Sequence, residues 1–136
     1  MKSFAIAYAA AALAFIALDV VWLKLTADRL YRAELGALMR AQFDFRPVVL
    51  FYPLYFAGIV TFASLPGVAV GGVGGAAWRG ALFGLIAYAT YDLTNQATIV
   101  GWSWKVTVAD LIWGTVATGV AAAVGAWAAG RFASAS

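Results

Sequence analysis

Residues 4–23 read "FAIAYAAAALAFIALDVVWL", and they carry a single charge, Asp19. At about 1.5 Å per residue, a helix of this length covers a hydrocarbon core of about 30 Å. In lipid the backbone must satisfy its own hydrogen bonds, so the stretch is read as a helix. Lys2 before a run of small residues has the flavour of a secretion signal. The apolar run is too long for one and its alanines mark no cleavage site, so the segment is read as a retained span.

The rest of the chain obeys the same solvent. Of its 136 residues 65% are hydrophobic and 11% are charged, where a soluble domain carries about a quarter charged residues. Further apolar segments run roughly over 47–65, 78–100 and 106–130. The expected fold class is all-α, an integral membrane four-helix bundle forming one domain over residues 1–136. The polar connection from Lys24 to Arg46 places Leu30, Tyr31, Leu35, Leu38 and Met39 on one helical face. Asp28, Arg29, Arg32 and Arg40 fall mostly on the other, which predicts a short amphipathic interfacial helix over roughly 27–40.

The second connection, "PGVAVGGVGGAA", is glycine-rich but lacks the Lys-Ser/Thr of a phosphate loop. The third, "GWSWK", is tight, and Trp102 and Trp104 read as interfacial anchors. Gly80 and Gly84 form G-x-x-x-G, a signature of close helix approach. Lys24, Arg29, Arg32, Arg40, Arg46 and Lys105 lie on one side of the four spans; Lys2, Arg79 and Arg131 lie on the other. That bias predicts that the 24–46 loop lies in the cytoplasm.

The chain has no cysteine and no histidine. Disulfides, thiolate or imidazole metal sites and imidazole catalysis are therefore excluded. No cofactor is expected. No basic patch with interleaved aromatics marks a nucleic-acid partner. The expected partners are membrane lipids and a homodimer or larger membrane complex.

Three aspartates lie inside spans. Asp19 precedes Lys24 by five residues, Asp110 follows Lys105 by five, and Asp92 precedes Gly101 by nine. All three enter from one side, with Asp92 deepest. A charge facing lipid costs several kcal/mol, so the three are expected to face one another or a shared wet cavity. They cannot all stay ionised without partners: some are protonated, or a cation or basic side chain neutralises them. Arg46 is an attractive partner because it opens the second span, and the cluster is also compatible with a divalent cation. On the third span Asp92, Asn95 and Gln96 share a face that Tyr88 extends inward. Tyr91, Thr94 and Thr98 are expected to pack against neighbouring helices.

Two D-x-x-W strings, "DVVW" from Asp19 and "DLIW" from Asp110, put Trp22 and Trp113 on the same helical faces as their aspartates. Each indole N–H is thus placed to donate to a carboxylate. The candidate ligand- or proton-binding residues are Asp19, Trp22, Arg46, Tyr88, Asp92, Asn95, Gln96, Asp110 and Trp113. A purely architectural role, with the polar groups as interhelical glue and the indoles as a membrane belt, fits almost as well.

The aspartate–x–x–tryptophan late in the first span, "YDLTN" in the third and "KVT-x-x-D-x-x-WG" into the fourth resemble a family of small four-span bacterial predicted membrane proteins of unknown function. The resemblance implies a four-span protein of the bacterial cytoplasmic (inner) membrane and no activity. Function classes then rank as binding or transport of a small lipophilic or cationic solute or lipid, next an accessory or assembly subunit of a larger complex, and last an intramembrane lipid-modifying enzyme.

Overall fold

The computed structural model describes residues 1–133, and they form helices joined by short connections. Helix α1 spans Lys2–Thr26. It runs on through a wide π-helical turn at Ala27–Arg32, then Ala33–Leu35 and a 3-10 turn at Gly36–Leu38. The helical path from Lys2 to Leu38 is thus continuous. Helix α2 spans Phe45–Ile59, and its first N–H groups need a cap. Asp44 supplies it, accepting from the Arg46 backbone N at 3.1 Å. The Arg46 guanidinium closes on the same carboxylate at 2.8 Å, which holds the Asp44 carboxyl below its usual range. Pro47 sits in that first turn, where a missing N–H costs nothing.

A π-helical segment, Val60–Ser64, leads into α3 at Leu65–Thr98. The stretch Phe45–Thr98 is helical over 54 residues, but its path breaks at Gly71–Gly72. Gly72 has φ 61°, a left-handed value that only glycine adopts cheaply. A Cβ on Gly67 would stand 2.3 Å from Ala76 Cα. Nine residues of straight helix would hold these positions about 13 Å apart, so the chain doubles back at the break. Gly101, with φ 84°, opens the next turn. Helix α4, Trp104–Phe132, then starts under a cap from Ser103, whose Oγ accepts from Lys105 N at 3.2 Å.

Three helical stretches are long and apolar enough to cross a membrane: Lys2–Leu38, Phe45–Thr98 and Trp104–Phe132. Large apolar side chains cover their outer faces, among them Leu13, Leu50, Leu54 and Ile112. The inner face of α4 is lined with small residues, Ala117, Ala121, Ala122 and Ala126. Without bulky side chains between them, backbones touch. A Cβ on Gly84 would lie 2.1 Å from the Gly114 carbonyl, and one on Gly80 would lie 2.7 Å from that of Thr118. Further along α4, a Cβ on Gly125 would stand 3.0 Å from the Ala7 carbonyl on α1. Phe15, Tyr55, Phe56, Ile59 and Val60 fill the space between α1, α2 and α4.

The loop after α1 is tied to the start of α4. Ser103 Oγ donates to Glu34 at 2.7 Å and Lys105 Nζ pairs with it at 2.8 Å. The long connection and the tight α3–α4 turn therefore sit at the same end of the bundle.

Candidate functional site

At that end, α1 and α4 run past one another with their D-x-x-W strings side by side. The Trp22 and Trp113 rings stack at 4.6 Å, with planes 5° apart. Each indole serves the aspartate of the other helix. Trp113 Nε1 donates to Asp19 Oδ1 at 3.3 Å. Trp22 Nε1 donates to the Tyr31 hydroxyl at 2.9 Å, and Tyr31 in turn donates to Asp110 Oδ1. The second oxygen of Asp19 accepts from the Tyr52 hydroxyl on α2. Donation within each string, the expectation from a shared helical face, is replaced by this exchange across the helix pair. The reason is geometric: an indole three residues from an aspartate lies beside it, but α1 presents its carboxylate to the Trp113 N–H, and the π-helical turn presents the Tyr31 hydroxyl to that of Trp22.

Asp92, on α3, is different. It is fully buried, and neither oxygen meets a hydroxyl or N–H donor among the described residues. The Asp110 carboxyl stands next to it, placed to share a hydrogen bond when one of the two is protonated. Asp110 also lies within electrostatic reach of Asp19. The three aspartates do gather, from α1, α3 and α4, as their depth along the spans predicts.

The cluster borders a cavity of about 470 Å³ between α2, α3 and α4. Pro47, Val48, Phe51 and Ala87 give it apolar walls, and Tyr55, Tyr88, Tyr91 and Asp110 supply its polar groups. Tyr55 is fixed by a 2.7 Å hydrogen bond with Thr118. Tyr88 lies flat over α4 because position 114 is glycine: a Cβ there would stand 2.2 Å from the Tyr88 ring.

Several expected members stand elsewhere. Arg46 is 87% exposed and bound to Asp44, two residues away, so it does not neutralise the cluster. A near carboxylate at the helix start captures it before it can reach inward. Gln96 leaves the Asp92 face to close the α3–α4 turn. Its Nε2 donates to the Trp102 carbonyl at 3.1 Å, and its Oε1 accepts from Thr107 at 3.0 Å. Asn95 stands beside the Tyr91 hydroxyl. Thr94 and Thr98 are exposed and donate to carbonyls of their own helix instead of a neighbour. Tyr91 is 57% exposed, with its ring on the edge of Trp102. Among the described residues, no three acidic side chains converge to hold a metal ion.

Sequence reasoning missed Tyr31, Tyr52 and Tyr55. Tyr31 was placed on an interfacial face, and the tyrosines of α2 carried no acidic neighbour in sequence. Their signal was a buried aromatic with a hydroxyl, which needs a partner wherever it is buried.

Helices that are apolar on their outer faces, with aspartates, tyrosine hydroxyls and indoles turned inward at one end, define a helical membrane protein. A family model described as "Predicted membrane protein (DUF2177)" matches residues 4–127. The chain belongs to that family. No curated protein and no solved structure matches it significantly.

Proposed function

We propose that this protein crosses a bacterial inner membrane four times and binds a small lipophilic solute in the cavity beside Asp110. The break at Gly71–Gly72 supports a division between second and third crossings, and the surplus of Lys and Arg around residues 24–46 favours a cytoplasmic side for that loop. The cavity has the size of a small-molecule site, and its apolar walls and few convergent polar groups suit one. One observation carries the reading: Asp92 is fully buried beside that site with no hydroxyl or N–H donor on either oxygen, facing another carboxyl, that of Asp110. An architectural carboxylate would be tied down, as Asp19 is. Binding, with transport as its extension, explains why a chain would retain an unsatisfied one.

The test is ligand-induced stabilisation of the purified protein in detergent, screened over small lipophilic compounds. A ligand at about 100 times its Kd stabilises the folded state by about 2.7 kcal/mol. Ala87→Trp, which fills the cavity, abolishes that shift. A screen in which no compound stabilises the wild type, or in which Ala87→Trp responds equally, refutes the reading. The accessory-subunit and enzyme alternatives have no observation of their own, because exposed apolar faces are what lipid requires.

A further inference from the structure

Building on that cavity, we propose that its ligand is an organic ammonium ion, admitted in exchange for a proton held between Asp92 and Asp110. Four aromatic rings, Phe51, Tyr55, Tyr88 and Tyr91, line the cavity around the Asp110 carboxyl. Aromatic faces next to a carboxylate recognise a cation with an apolar body, and a desolvated site strengthens that attraction. They do not suit an anion, which would meet carboxylates. They do not suit a hard inorganic cation, which needs several oxygen ligands; among the described residues no three acidic side chains come close enough together to share a metal ion.

Charge balance points the same way. The described ion pairs join Arg32 to Asp28, Arg40 and Arg46 to Asp44, and Lys105 to Glu34. None reaches the three inward aspartates. The groups facing the Asp92–Asp110 pair are Asp19 and Tyr31 from the α1 side, Tyr55 from α2, and Tyr88 and Tyr91 from α3. Asp19 holds two donors and Asp110 one, whereas Asp92 has none. Two adjacent buried carboxylates accommodate one negative charge far more readily than two. An entering ammonium brings one positive charge and the pair gives one proton to water. No covalent bond is made or broken apart from that O–H, and the net charge of the site is unchanged.

The experiment uses the full chain in lipid nanodiscs, with empty discs as blank. Benzyltrimethylammonium is compared with neopentylbenzene, which replaces its charged nitrogen by carbon at nearly equal shape. Calorimetry reads binding, and a pH indicator in weak buffer reads protons. The expected result is saturable binding of the ammonium, at least tenfold tighter than the hydrocarbon, with close to one proton released. In Asp92→Asn the ammonium still binds, but proton release falls to near zero; in the Asp92→Asn/Asp110→Asn double variant binding is lost. Equal binding of both probes, abolished by Ala87→Trp, overturns the ammonium assignment and leaves the cavity reading intact. Saturable binding of neither probe, or binding unaffected by Ala87→Trp, overturns the assignment and counts against the cavity as well. Ammonium binding without proton release from the wild type overturns the exchange.

Discussion

Helix α4 is built from two unlike halves. From Gly114 onward it is a dry seam: small residues let α1 and α3 approach until backbone touches backbone. Before Gly114, large polar-tipped side chains hold the helices apart around three carboxylates, and a cavity opens. The seam has no slack and the polar end has space. Rigid packing in one half is what allows an unfilled volume in the other, since the helix positions are already determined when the cavity begins. Gly114 belongs to both, closing against α3 while seating the Tyr88 ring that borders the cavity.

The contrast breaks most sharply in the seam. In Gly84→Ala the new methyl would meet the Gly114 carbonyl at 2.1 Å and Thr118 Oγ1 at 2.6 Å. Backbone cannot rotate away, so the cost falls at the upper end of the range for overpacking, about 3 kcal/mol. Thermal unfolding in detergent measures it. Gly74→Ala, where an added Cβ meets nothing within 4 Å, serves as the control and leaves stability near wild type. If the two variants unfold alike, the seam is not what positions the helices.

Within the polar end the same isosteric change should have opposite signs at two aspartates. Asp19→Asn turns an acceptor of two donors into an amide with a single acceptor oxygen, which forfeits one hydrogen bond and costs about 1 kcal/mol. Asp92→Asn replaces a buried carboxyl that has no hydroxyl or N–H donor with an amide that can itself donate to Asp110, so stability is unchanged or rises. Parallel melting curves at neutral pH decide it. A loss at position 92 as large as at position 19 would show that Asp92 is tied into the structure after all.

The all-helical class was legible because lipid leaves the backbone one solution, and long apolar runs announce it; the count was not, since four expected spans stand as three long helical stretches. The gathering of Asp19, Asp92 and Asp110 was legible too, since distance from the charged span ends measures depth. What the pattern could not give was partnership. A 3.6-residue period says which side chains share a face of one helix, and nothing about what stands opposite. It therefore paired each tryptophan with its own aspartate, where the structure exchanges them. Tyr31 lay further out of reach, because the π-helical turn at Ala27–Arg32 breaks the period that would assign its face. Arg46 and Gln96 were misplaced for a shared reason: each sits near a helix end, where nearby carboxylates and orphan carbonyls claim polar side chains first.

A smaller effect probes the exchange between the helices. Trp113→Phe retains an aromatic ring over Trp22 but deletes the 3.3 Å donation to Asp19. Interhelical hydrogen bonds in membrane proteins average about 0.6 kcal/mol, and a loss of about that size is expected by chemical unfolding. Combined with Asp19→Asn, the double variant should lose less than the sum of the two singles, because both remove strength from one contact. Simple additivity would mean that Trp113 contributes through stacking alone.

The smallest effect lies outside the bundle, at Asp44, where exposure to water weakens the interaction. Its carboxyl is lowered first by the Arg46 guanidinium and then by the Arg46 backbone N–H. A carboxylate lowered in the folded state contributes stability above its unfolded value, about 3.9, and loses it as pH falls through the folded value below that. Asp44→Asn keeps an oxygen for the cap but lacks the charge for Arg46. The variant should therefore melt slightly below wild type near neutral pH, with the gap closing as pH drops below about 4. High salt should narrow the same gap, as it does for exposed pairs. The inward aspartates, shielded from ions by the bundle, should show no such sensitivity to salt. A gap at Asp44 that survives both acid and salt would mean that the cap geometry, and not the charge pair, holds the start of α2.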